Sequence, residues 1–141
     1  MIRSLLLFFT VSTFLYSADS KAQSTDWTPI FLTVRGNHIV SGLEGYFQKG
    51  VCNNEDVVFV KFVNTNPYAV ALTWYNAIFT HEIKWYYNAD DTKSLTVPAA
   101  TTAEGTCGGE ALLVIKLSDF ISDPNQFKRY CSVELTISKV N

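Results

Sequence analysis

The chain has 141 residues, 48% hydrophobic, 14% aromatic and 17% charged, with 11 Lys+Arg against 13 Asp+Glu. That length allows one domain with a real core, and a formal charge of −2 leaves no electrostatic footprint for nucleic acid. The charged fraction is too low for a disordered chain, four Pro and seven Gly exclude a collagen-like or linker protein, and three Cys are too few for a disulfide-dense scaffold.

The first elements read as an address. Arg3 opens a positive n-region, and Leu5 to Tyr16 is an apolar run interrupted only by hydroxyl residues. The run is too short to span a bilayer as a helix, which needs about 20 residues, but suits a signal-peptide core. Ser20 and Ala22 satisfy a small-x-small rule, which places cleavage after Ala22. Residues 1–22 are thus expected to be a signal peptide and 23–141 a single domain. Cleavage removes Arg3, Lys21 and Asp19, leaving 9 basic and 12 acidic residues and a net charge of −3. No second long apolar run predicts a membrane span after cleavage. The expected location is exported: secreted, at the cell surface or in the periplasm, where disulfides are permitted.

Strand signals dominate the rest. Two weaker strands are expected near Ile30 to Val34 and Leu43 to Val51. Asp56 to Val63 is nearly continuous in apolar and β-branched residues, as a central strand requires. Asn64-Thr65-Asn66-Pro67 reads as a turn. Tyr68 to Ala77 alternates, with Val70, Leu72 and Trp74 on one face and Ala69, Ala71, Thr73 and Tyr75 on the other. Phe79 to Tyr87 reads as one strand, with Phe79, Ile83, Trp85 and Tyr87 opposing Thr80, Glu82, Lys84 and Tyr86. Asn88 to Asp91 is a second turn, and Lys93 to Val97 a short strand ended by Pro98. Residues 99–110 form a small-residue loop, and Ala111 to Leu117 a buried strand. Asp123-Pro124 has the form of a helical-turn start. Tyr130 to Val140 alternates, with Cys131, Val133, Leu135 and Ile137 assigned inward. Seven or eight strands over this length predict an all-β fold, a two-sheet antiparallel sandwich.

The run VVFVKFVNTNPYAVALTW resembles the second and third strands of an immunoglobulin-like or fibronectin-like domain, with Trp74 in the place of the core Trp. The signal peptide ending in Lys-Ala-Gln is similar to those of secreted proteins of Bacteroidota. The resemblance spans residues 50–140 and implies an immunoglobulin-like sandwich. The Cys–Trp–Cys spacing of antibody domains is absent, and no functional residue carries over.

Cys52 and Cys107 both lie in turn-rich segments, where a staple compensates for poor local packing. Cys131 lies within a regular strand, where a thiol behaves as a small hydrophobe. A Cys52–Cys107 disulfide with Cys131 free is therefore expected, with Cys52–Cys131 the competing pair.

No constellation predicts catalysis. His81-Glu82-Ile83-Lys84-Trp85 begins like a zinc-protease motif but lacks the second His. His81 is read as a strand residue sharing a face with Phe79 and Ile83. His38 has no partner in sequence context to activate a cysteine. Asn88, Asp90 and Asp91 could ligate calcium but fit an ordinary polar turn. There is no phosphate loop and no Gly-x-Ser-x-Gly. No metal and no cofactor are predicted.

What remains is an excess of aromatics, including Trp27, Tyr46, Tyr75, Trp85, Tyr86, Tyr87 and Tyr130. Rings with polar tips suit protein partners or sugars. The expected function is a non-catalytic, exported binding domain that recognises a protein or cell-surface partner. The alternative is a polysaccharide- or carbohydrate-binding module using Tyr75, Tyr86 and Tyr87 as its platform. A small hydrolase ranks last.

Overall fold

The computed structural model describes residues 26–33 and 35–140. The expected signal peptide, its cleavage site and Val34 lie outside the described residues. Among those described, nine strands form two antiparallel sheets. The fold class is the expected all-β sandwich.

The larger sheet is built on a hairpin. Strand β3 (Leu43–Cys52) pairs along its whole length with β4 (Glu55–Asn64). The two-residue strands β1 (Thr28–Pro29) and β2 (Ile39–Val40) pair with the other edge of β3. The far side of β4 carries β7 (Thr102–Glu104) and β8 (Val114–Lys116). The smaller sheet has the order β6-β5-β9, with β5 (Val70–Thr80) between β6 (Trp85–Val97) and β9 (Phe127–Lys139).

The unbroken apolar run of β4 has a direct cause. Val58, Val60 and Phe62 face the space between the sheets, whereas Val57 and Phe59 face outward. Outward burial comes from Cys52, Trp27 and Val114, which close a small second cluster over that face. The main core lies between the sheets. Phe62 meets Trp74 edge-on at 5.2 Å, and Phe47 meets Tyr130 at 6.3 Å. At the corner between β4 and β5, the buried Asn64 side chain donates to the carbonyls of Tyr68, Val97 and Pro98, tying the two sheets together.

Four expectations need correction. The reading of Phe79 to Tyr87 as one strand fails, because the chain reverses at 81–84. Thr80 N–H donates to the Lys84 carbonyl, and Ile83 adopts a left-handed φ of 63°. His81 is therefore an exposed turn residue, and Ile83 is 76% exposed instead of facing Phe79 in a strand. Second, Asn88 to Asp91 is not a hairpin tip. The β5–β6 register passes from Tyr75↔Thr92 to Ala77↔Tyr87, so four residues bulge out of one long strand opposite Asn76. Third, the alternation of the last strand is broken. Glu134 has a left-handed φ of 50°, and two residues of β9 face the single position Trp74. Leu135 and Ile137 pack against the core as expected, but Tyr130 takes the inward place before the bulge, and Cys131 and Val133 point outward. Fourth, Ala111 to Leu117 is not one strand: 3-10 turns over Ala111–Leu113 and Leu117–Asp119 flank the three residues of β8. The Asp123-Pro124 turn forms as expected, with the Asp123 carboxylate accepting from Asn125 N–H at 2.9 Å.

Gly105 holds the loop after β7 against β4. Its N–H donates to the Val60 carbonyl at 2.9 Å, and a Cβ there would lie 2.1 Å from the Leu113 carbonyl oxygen. Backbone atoms on both sides leave no flexible neighbour to move. Gly105→Ala is expected to lower stability by about 1–3 kcal/mol in urea unfolding. An unchanged midpoint would show that the loop has room the structure does not.

Candidate functional site

Pairing across β5 decides which aromatics share a face, since directly opposed residues in an antiparallel ladder lie on the same side. The outer face of the small sheet carries Ala71, Thr73, Tyr75, Ala77 and Phe79 from β5. Beside them lie Trp85, Tyr87, Thr92, Ser94 and Thr96 from β6, and Arg129, Cys131, Val133, Thr136 and Ser138 from β9. Arg129 is the only charge among these paired positions, and its guanidinium stacks over the Phe31 ring at 4.2 Å.

One end of this face is aromatic. Phe79 and Trp85 lie 4.6 Å apart, centroid to centroid, and the Lys128 ammonium reaches over Phe79 at 5.4 Å. Ala77 is fully buried although it points outward, so the larger side chains around it close over it. Trp85 is still 52% exposed and Tyr87 60%. Their burial against small neighbours is partial, and the rings present apolar area to solvent.

Of the expected platform, Tyr75 and Tyr87 share this outer face but Tyr86 does not. It opposes Ile78 and packs against the core from the inner side. A platform of Tyr75, Tyr86 and Tyr87 is therefore not formed, because β6 places consecutive rings on opposite sides. Trp85, grouped with Phe79 and Tyr87 in the expected alternation, lies with both on the outer face.

Along the β6 edge, the sandwich opens laterally toward the segment around β8. The opening is a cleft of about 700 Å³, a size common for ligand sites. Asn76, Tyr86, Leu112, Ile115 and Phe120 line it together with Trp85 and Tyr87 of the outer face, and Asn88, Asp91, Lys93, Lys116 and Asp119 form its polar parts. The bulge at 88–91 creates this space, since β6 leaves the ladder where Asn76 stands. Lys93 pairs with Asp91 at 2.7 Å and Lys116 with Glu55 at 2.6 Å. The bond to Glu55 holds the Lys116 ammonium above the usual lysine range. The floor is a buried polar group: Trp74 Nε1 donates to Asn76 Oδ1 at 2.9 Å, and Tyr130 Oη donates to the same oxygen at 2.6 Å. Burial pushes the Tyr130 hydroxyl far above its ordinary value, so it acts only as a neutral partner.

Asp90 and Asp91 lie in the bulge, where the Asn88 side chain accepts from Asp90 N–H. His38 and His81 are exposed on separate turns. Cys52 and Cys107 form the expected disulfide.

Cys131 is free and buried, though beneath the outer face and not in the main core. Burial lifts its thiol from 9.0 to about 11, partly offset by Arg129. The folded pKa is raised, so its contribution to stability is complete below pH 9 and is lost as pH rises to about 11. Native protein at pH 8 is expected to resist thiol-specific reagents until denatured. Cys131→Ala should flatten part of the alkaline fall in stability across pH 9–11. Rapid native labelling at pH 8 would contradict the burial.

No family model, curated protein or solved structure matches this chain.

Proposed function

We propose that the protein is an exported, non-catalytic binding domain that recognises a protein partner through the outer face of its three-stranded sheet. The observation that carries this reading is the composition of that face. Its paired positions hold one charge, and its aromatic end leaves Trp85 and Tyr87 more than half exposed. Exposed sheet faces that meet only water favour charged side chains, whereas the centres of protein interfaces are poor in charge and rich in Trp and Tyr. Lys128 and Arg129 flank the aromatic end and would set orientation at the rim. The Cys52–Cys107 disulfide supports export, because such a bond persists in an oxidising compartment. Among the described residues no helix is long and apolar enough to cross a membrane.

The test is binding of fluorescent protein to intact cells of its source, compared with a Trp85→Ala/Tyr87→Ala variant. Binding should be saturable, lost when the cells are treated with protease, and reduced at least about ten-fold by the variant. Equal binding by the variant would refute the role of this face. Binding that survives protease but not periodate would identify a glycan in place of a protein.

A further inference from the structure

The cleft along the β6 edge and the aromatic end of the outer face are one continuous surface. Trp85 and Tyr87 belong to both, since each lines the cleft and each is more than half exposed on the outer side. The cleft adds the rings of Tyr86 and Phe120, both half-buried. A partner seated on the outer face therefore meets, directly around the β6 edge, an aromatic-walled opening of about 700 Å³.

Charge in this opening is not balanced. Lys93 is held by Asp91 at 2.7 Å, whereas Lys116 is taken at 2.6 Å by Glu55, which does not line the cleft. Asp119 lines the cleft, is exposed, and makes no ion pair among the described residues. Asp90, beside Asp91 in the bulge, makes none either. The four carboxylates Glu55, Asp90, Asp91 and Asp119 thus stand against the two ammonium groups of Lys93 and Lys116, and the local field is negative. Such a field repels phosphates and carboxylates and draws a cation. Strand addition does not suit the place, because the 88–91 bulge interrupts the β6 edge and β8 offers three residues. What fits is a cationic side chain.

We infer that the cleft receives an arginine side chain of the protein partner that binds the outer face; the identity of the partner as a protein rests on the function proposed above. A guanidinium matches both features of the opening. Its plane stacks on aromatic rings, and its N–H groups donate to a carboxylate, here that of Asp119. An ammonium would form the ion pair without the planar stacking. The ring faces also take up the apolar stem of the arginine. Trp85 and Tyr87, at the junction of cleft and face, shield the pair from water once the partner is seated, which strengthens it.

The test has two arms. In the first, isotopically labelled protein is titrated by NMR with N-acetylarginine N-methylamide and, in parallel, with its citrulline counterpart, which has nearly the same shape and no charge. The arginine probe should shift the amide signals of residues 88–91 and 116–120 saturably, and the citrulline probe should bind at least about five-fold more weakly. Asp119→Lys, at an exposed position, should weaken the arginine probe about ten-fold or more. The same charge change at the exposed Glu104 of the larger sheet should leave it unchanged. The inference is overturned if the cleft signals do not move, if citrulline binds as well as arginine, or if Asp119→Lys has no effect. In the second arm, intact cells are treated with phenylglyoxal, which blocks guanidinium groups, and binding of the fluorescent protein should fall about ten-fold or more. Cell binding that needs Trp85 and Tyr87 but survives both phenylglyoxal and Asp119→Lys overturns the arginine and leaves the outer face standing. Cell binding that ignores Trp85 and Tyr87 refutes the outer face, and the titration then decides the cleft by itself.

Discussion

Reducing the Cys52–Cys107 disulfide is expected to lower the unfolding free energy by about 4 kcal/mol, the chain-entropy value for the 55-residue loop it closes. The placement of the bond explains why its loss is not absorbed elsewhere. Cys52 ends β3, and Cys107 lies in the exposed loop between β7 and β8, beside Gly108 and Gly109. Near Cys107 that loop has little apolar surface to bury, so the bond is its main anchor. It also fixes the rim of the small cluster formed by Val57, Phe59, Trp27 and Val114. A domain of this size is stable by about 5–15 kcal/mol, so the change is a large fraction of the whole. Urea unfolding with and without reductant, and of Cys107→Ser, checks it. Both should lower the midpoint together, and a loss under about 1 kcal/mol would show that the unfolded chain is not constrained by the loop. Burial keeps Cys131 from exchange with this bond in the native state.

The parts of the fold that were legible in the sequence are those where burial alone sets the pattern. β4 could be read because both of its faces are covered, and β5 because its inner and outer faces differ so clearly. The disulfide could be read because two cysteines sat in turn-rich segments and one did not. The errors fall where the backbone departs from extended geometry without the usual residues. The 81–84 turn places the β-branched Ile83 at positive φ, and the β9 bulge places Glu134 there. Glycine or asparagine would have marked either position. Neither position carries such a mark, and the expected places of Tyr86 in the platform and Cys131 on the inward face fail with them. The candidate site suffered in the same way. Its aromatics were visible, but the division of Tyr86 from Tyr75 and Tyr87 follows from a reversal with no compositional signal. Asn76 was within reach. It continues the inward series Val70, Leu72, Trp74, and an amide at such a position signals a polar network in the core.

That network underlies the second large expected effect. Trp74→Ala should destabilise the fold by about 3–5 kcal/mol, the range for removing a fully buried large aromatic. Trp74 is 1% exposed and bridges the sheets by its contact with Phe62. Its indole N–H serves Asn76 Oδ1 and approaches Tyr130 Oη at 3.1 Å, so two buried groups lose a partner when it goes. The β9 bulge at Glu134 lies directly opposite, which leaves no regular strand pair to close over the cavity. Trp74→Phe separates packing from hydrogen bonding. It keeps most of the ring area, removes the donor, and should cost about 1–3 kcal/mol. Tyr130→Phe removes the other donor to the same oxygen and should fall in that lower range. It should also remove part of the alkaline fall in stability, since the tyrosine hydroxyl ionises in the unfolded chain before it does in the fold. Urea unfolding of the four proteins at neutral pH gives the ranking. If Trp74→Ala costs no more than Trp74→Phe, the ring is not packed between the sheets. If Tyr130→Phe is neutral, the amide of Asn76 is not held by two bonds and the floor of the cleft is not fixed.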